Sequence, residues 1–312
     1  MVAVQLNEVR LPGTCGAADW TGRLAADWPL REYSHFASTP GVRWHVQMMG
    51  SGPTVLLLHG TGSSTHSWRA LAPLLARRMR VIAPDLPGHG ASLVIDPEKL
   101  SLSGMTGSLL ALLRELEAEV DILVGHSAGA AIGVRLALST CTAARGIVSL
   151  NGALLPLSGF AGQLFLPAAK LLASAPMLAR AFAWRARQPG VVERLLASTG
   201  STLDARGREL YARLACDPRH VAGALGMMAR WDLTGLAREL PALGLPLDLV
   251  VGSRDAMIPP TQAGRVAASV PRARVTGLIG LGHLAHEEDP AAVASIIDRD
   301  AAAWGMTGGE TT

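Results

Sequence analysis

Lysine is almost missing from this chain. Lys99 and Lys170 are the only two, so the basic side of a net charge of +3 is nearly all arginine. No dense Lys/Arg run with interleaved aromatics occurs, which argues against a nucleic-acid platform. Cysteine is equally scarce: Cys15, Cys141 and Cys216 cannot pair completely, form no CxxC and make up no full set of ligands at metal spacing. That pattern gives neither a disulfide framework nor a metal framework, and it fits a reducing cytoplasm. No cofactor is implied.

Long apolar runs are also lacking. The longest uncharged stretch, 152–169, is broken by Pro156, Gly159, Gly162, Gln163 and Pro167. A spanning helix needs about 20 consecutive apolar residues. No transmembrane segment is expected, and only peripheral contact with a membrane stays open. The first thirty residues carry no basic region followed by an apolar one, so they read as a loosely held lead-in rather than a signal peptide. Charged residues are 17% of the 312, whereas 49% are hydrophobic, enough to build a substantial core.

What is present has a rhythm. Short apolar, β-branched runs at 54–59, 80–84, 121–125, 146–150, 247–251 and 274–279 read as buried parallel strands. An alternating leading strand at 41–46 precedes them. Helical patterns fill the gaps at 68–78, 105–119, 128–139, 261–269 and 291–304. The last starts with Asp289 as N-cap and Pro290 at its first position. Between 152 and 240 no convincing strand occurs. Helices are expected there at 163–173, 177–187, 191–197, 205–215 and 220–231. The economical reading is a doubly wound α/β sheet with an all-helical insertion. The expected division is a lead-in over 1–30, an α/β core over 31–151 and 241–304, a helical cap over 152–240 and a tail over 305–312.

Gly125-His126-Ser127-Ala128-Gly129 fits G-x-S-x-G, follows an apolar strand and opens a helix. The glycines relieve crowding at a sharp strand-to-helix turn that exposes the Ser127 hydroxyl. A serine nucleophile needs a base, and the base an orienting acid. Asp255 and His283 follow the two late strands in the required chain order, each on a loop off a strand end. Asn151 stands at the end of the preceding strand, another place for the acid, but an amide cannot supply that charge. His126 should point away from the hydroxyl, and His89 and His286 read as structural. The turn His59-Gly60-Thr61-Gly62-Ser63-Ser64 lacks the third glycine of a dinucleotide fingerprint and the Gly-Lys of a phosphate loop. As a loop after an early strand it can instead supply an oxyanion N–H from Thr61, beside that of Ala128.

HGTGSS, DLPGHG, GHSAGA, SRD and GLGH, in this order, resemble the α/β-hydrolase superfamily over about residues 31–304. The resemblance implies an eight-stranded, mostly parallel sheet, a helical cap over the active site, and Ser127, His283 and Asp255 as nucleophile, base and acid. Further segments, including "LLLHGTGSSTHSWRALAPLLA", "SLNGALLP", "AFAWRA", "STGSTLDARG" and "HVAGALGMMARWDL", resemble the magnesium-chelatase accessory proteins encoded with bacteriochlorophyll biosynthesis genes. That family implies a link to magnesium insertion into protoporphyrin in photosynthesis, without making this chain the chelatase.

Residues 152–240 hold eleven Lys/Arg against six Asp/Glu. An apolar, arginine-bearing lid suits a small-molecule substrate such as a porphyrin or another hydrophobic carboxylate. Phe160, Phe165, Trp184, Met227, Met228 and Trp231 are the candidate lining residues. The expected activity is ester-like hydrolysis or acyl transfer. The alternative is a non-catalytic accessory protein that binds a porphyrin or magnesium chelatase.

Overall fold

The structure, a computed structural model, describes residues 24–139, 143–156 and 176–306. Its centre is a nine-stranded sheet. The strands are β1 (Ser34–Thr39), β2 (Val42–Met49), β3 (Thr54–Leu58), β4 (Arg80–Pro84), β5 (Leu93–Val94), β6 (Ile122–His126), β7 (Gly146–Leu150), β8 (Leu247–Gly252) and β9 (Ala273–Leu278). Eight run side by side in the order β1-β2-β4-β3-β6-β7-β8-β9, and the two-residue β5 pairs with β2. β2 runs antiparallel to β1, β4 and β5, and all later pairings are parallel.

The eight-stranded expectation therefore gains a ninth, very short strand. The sequence reading also passed over β1. SHFAST is an edge strand with largely exposed side chains, so it has no apolar alternation to read. It is held by a hairpin in which Thr39 pairs with Val42, leaving Pro40 and Gly41 as the turn, with Gly41 at φ 81. Proline at the first central position and a positive-φ glycine at the second suit a type II turn.

Helices cover both faces. α1 (Leu71–Leu75) and α11 (Pro290–Ala303) lie on one, and α2 (Leu102–Glu115) and α3 (Ala128–Leu138) on the other. β3 shows why the sheet must be sandwiched. Val55 and Leu57 join the cluster containing Leu71 and Val293, while Leu56 and Leu58 join the one containing Leu109 and Ile132. Alternate side chains thus enter opposite cores, so every residue of the strand is apolar or buried. Helix starts follow local chemistry: Ser101 Oγ accepts from the Gly104 N–H, and the Asp289 carboxylate from the Ala292 N–H, with Pro290 beside it.

Between β7 and β8 every described element is helical: α4 (Pro176–Ala186), α5 (Val191–Ala197), α6 (Ala205–Ala215), α7 (Pro218–Ala229) and α8 (Thr234–Glu239), with a short 3-10 turn at Leu240–Ala242. The helix expected at 163–173 lies outside the described residues. After β8 come α9 (Thr261–Ala267) and α10 (Ala285–Glu288).

Candidate active site

In a sheet ordered β4-β3-β6, the chain leaves β3 in both directions, and a crevice opens beyond the carboxyl ends of the strands there. Five consecutive neighbours, β3, β6, β7, β8 and β9, deliver to that edge Gly60 and Thr61, Ser127, Asn151, Asp255 and His283 respectively.

Ser127 sits at φ 51, ψ −116, a backbone conformation that an L residue adopts only under constraint. The constraint is the close packing around it. A Cβ on Gly125 would come within 2.4 Å of the Ala130 nitrogen, and one on Gly129 within 2.0 Å of the Leu58 carbonyl oxygen. Only glycine lets β6 turn this sharply into α3. Ser127 is half-buried, and among the described residues its hydroxyl has no hydrogen-bond partner.

His283 Nδ1 donates to Asp255 Oδ2 at 2.9 Å, which leaves Nε2 as the free basic nitrogen. Asp255 is well held. Its Oδ1 accepts from the Met257 and Ile258 N–H groups at 2.8 and 2.9 Å, and its Oδ2 also accepts from Asn151 Nδ2 at 2.7 Å. Burial pushes this carboxyl up, but the His283 ring, the Ile258 N–H and the Asn151 amide outweigh it and hold the group below its usual range. Asn151, set aside in the sequence as unable to carry charge, is thus a donor to the acid. Its φ of 47 is one that asparagine tolerates better than most residues. Behind it lies a cavity of about 10 Å³, room for one water, lined by Ser149, Asn151 and Asp255 among others.

The turn after β3 lies against Ser127: a Cβ on Gly60 would stand 3.1 Å from Ser127 Cβ and 2.8 Å from His126 Nδ1. Ala128 opens α3, so its N–H has no intrahelical acceptor. The helices between β7 and β8 grip this turn at three successive residues. Thr61 Oγ1 donates to Met227 Sδ at 3.3 Å, His220 Nε2 bonds the Gly62 carbonyl at 3.0 Å, and Ser63 Oγ meets Tyr211 Oη at 3.2 Å. His220 Nδ1 accepts from the Gly90 N–H, so its proton sits on Nε2 and the ring ties two loops together. Neither His220 nor Tyr211 carried a sequence signal, because each acts through a partner more than 120 positions away.

Tyr211 also donates to Glu287 Oε1 at 2.8 Å, and Arg69 bridges Glu287 and Asp204. Burial pushes the Glu287 carboxyl up to about 7 even with Arg69 beside it. Of the other histidines only His35 is exposed; the rest are packed inside. His126 Nε2 donates to the His283 carbonyl at 2.9 Å, turning its ring to the His283 loop. His286 is wedged between Trp68 and His126 with ring centroids 4.6 and 4.5 Å away. His89 and His59 are buried near His220, and His59 Nε2 accepts from the Leu86 N–H. Asp85 organises this side: it binds His45 Nδ1 at 2.7 Å and the N–H groups of Thr65 and Ala91. Among the described residues, no group of three His, Cys, Asp or Glu side chains is arranged to hold a metal.

The six lining candidates fare differently. Met227 is fully buried at the Thr61 turn; Met228 and Trp231 are half-buried, Trp231 against the main core. Trp184 stands at the surface, 61% exposed. Phe160 and Phe165 lie outside the described residues.

A sharp serine turn, an acid-held histidine and a doubly wound sheet define a class, and the alpha/beta hydrolase family pattern matches residues 55–296: the chain belongs to that family. Its relatives include the magnesium-chelatase 30 kDa subunit of Rhodobacter capsulatus, 38% identical over 270 residues that span 85% of this chain and 93% of that one. A thermophilic esterase from Thermogutta terrifontis, solved with malate bound, superposes with a TM-score of 0.67 at 27% identity, covering 88% of this chain and 99% of its own. An alpha/beta hydrolase fold protein from Burkholderia ambifaria gives 0.69 at 24% identity, over 85% and 97%.

Proposed function

We propose that this chain is a serine hydrolase or acyl-transfer enzyme in which Ser127 is the nucleophile, His283 the base and Asp255 the acid. The reading is carried by a strained Ser127 at the turn into α3, brought to the same sheet edge as a His283 whose Nδ1 is fixed on Asp255. His283 Nε2 takes the Ser127 proton as Oγ attacks an ester-like carbonyl. The N–H groups of Thr61 and Ala128 receive the oxyanion, and the positive end of α3 favours that charge. His283 then gives its proton to the leaving group. Water activated by the same nitrogen releases the acyl group.

Residues 152–240 serve as the cap in this reading, with Met227 against the Thr61 turn and Met228 and Trp231 as further lining residues. The apolar, arginine-bearing character of that segment and the kinship with a magnesium-chelatase subunit favour a hydrophobic carboxylate, such as a porphyrin-type molecule, at the magnesium-chelatase stage of bacteriochlorophyll synthesis. The same kinship favours association with the chelatase, and cytoplasmic residence fits both.

A fluorophosphonate probe tests the chemistry. It is expected to label Ser127, and Ser127→Ala to lose both the adduct and about 10⁶ of any ester turnover. Full turnover in Ser127→Ala would overturn the mechanism. The lack of any adduct in the wild type, with protoporphyrin binding at micromolar levels, would favour a binding protein instead.

A further inference from the structure

The 71 residues between Asp121 and Glu193 contain no acidic side chain, and α4 lies in that stretch. On α4, Ala179 and Ala183 are buried, and the helix packs on α7. At about 100° per residue, the face opposite these alanines carries Met177, Ala181 and Trp184, with Arg180 on one flank and Arg185 on the other. All five are exposed, Met177 by 78% and Trp184 by 61%. Phe182 and, on α5, Leu195 extend the apolar surface, at 48% and 61% exposure.

The arginines here differ from those on the helices below. Arg206, Arg213, Arg219 and Arg230 each meet a carboxylate. Among the described residues Arg180, Arg185, Arg187 and Arg194 meet none. A face with tryptophan and methionine at its centre and unneutralised arginines along its sides has the chemistry of an interfacial helix: the apolar groups enter the acyl boundary and the guanidinium groups stay at the headgroups. An acidic protein would satisfy the arginines but leave no polar partner-facing groups between Met177 and Trp184 to set a register. A bilayer needs none.

We propose that α4 docks this chain on an anionic lipid surface, with Met177 and Trp184 inserted and Arg180 and Arg185 on the headgroups. Because α4 rests on α7, and α7 holds Met227 at the Thr61 turn, docking would bring the membrane to the helices that contact the candidate active site. A hydrophobic ligand could then pass between bilayer and site without crossing water. The proposal does not depend on which reaction Ser127 performs.

Flotation of the full chain with vesicles tests it. Vesicles containing phosphatidylglycerol are expected to carry the protein, and pure phosphatidylcholine vesicles to carry much less. High salt should weaken the binding, since exposed charges are screened. Arg180→Glu with Arg185→Glu, and separately Met177→Asp with Trp184→Asp, should each lower partition by about tenfold or more. As surface changes they should leave the thermal midpoint within about 2 °C of wild type, which separates lost docking from lost folding. Failure of the wild type to float with anionic vesicles, or flotation indifferent to both double variants, overturns the proposal. So does loss of a protein partner by these variants while the vesicles stay bare.

Discussion

Gly60 shows how little room the site leaves at single positions. A methyl group there would press on His126 Nδ1 at 2.8 Å, and neither the ring nor Ser127 behind it can retreat without moving the elbow. Gly60→Ala should therefore keep the fold at a cost of about 1–3 kcal/mol, the usual range for overpacking. It should displace the Thr61 N–H, seen as slower fluorophosphonate labelling of Ser127 out of proportion to the fall in thermal midpoint. Asn151 permits a cleaner test, because glycine accepts its φ of 47 without strain. Asn151→Gly deletes the donor to Asp255 Oδ2, a hydrogen bond to a charged acceptor worth about 1.5–3 kcal/mol, together with a longer 3.4 Å bond to the Gly282 carbonyl. Labelling of Ser127 is expected to slow about tenfold; an unchanged rate would show that Asp255 is held well enough by Met257, Ile258 and His283.

At the scale of elements, α6 and α7 are fastened to the loops that shape the site. Gly223 of α7 lies so close to Gly88 that a Cβ would stand 1.9 Å from the Gly88 carbonyl oxygen. His220, one turn earlier, spans from Gly90 to Gly62. His220→Ala removes its bonds to the part-buried Gly90 N–H and Gly62 carbonyl, each worth about 0.5–1.5 kcal/mol. A lower thermal midpoint is expected together with slower Ser127 labelling, since the freed turn carries Thr61. If stability falls and labelling does not, His220 supports packing alone. The helical rhythm of 205–215 and 191–197 was readable from sequence to the residue, because amphipathic spacing is a local signal. The short α8 was not: six residues give too few turns for a period to show. β1 and β5 were missed for the same kind of reason, being exposed or too short to alternate.

Across the whole molecule, the distinctive load is buried neutral histidine. Burial is the leading cause that pushes His59 down to about 4 and His126 to about 3, and it lowers His66, His89, His220 and His286 too. Each charges near 6.5 in the unfolded chain but stays neutral in the fold. Between about pH 6.5 and 4 the unfolded state therefore binds more protons, and stability falls as pH falls. The slope is at most about 1.4 kcal/mol per pH unit for each histidine. Glu287 acts with the opposite sign: raised to about 7, its contribution is complete below the ordinary carboxyl range and lost as pH climbs through 7. Thermal melts at several pH values should show a maximum near neutrality and a steep drop below pH 6. A flat profile down to pH 5 would mean the histidines charge inside the fold.

The sequence by itself determined the alternation of strands and helices, the elbow around Ser127, and the order in which Ser127, Asp255 and His283 appear. Those are local facts: strand and helix periods, glycine's freedom from a Cβ, and chain order are all written along one dimension. Tertiary structure decided which groups actually meet. That Asn151 donates to Asp255, that His220 and Tyr211 hold the Thr61 turn, and that Trp184 stands outside rather than lining the site follow from strand order and helix packing. Those join residues over a hundred positions apart, and no period or motif in the chain records such distances.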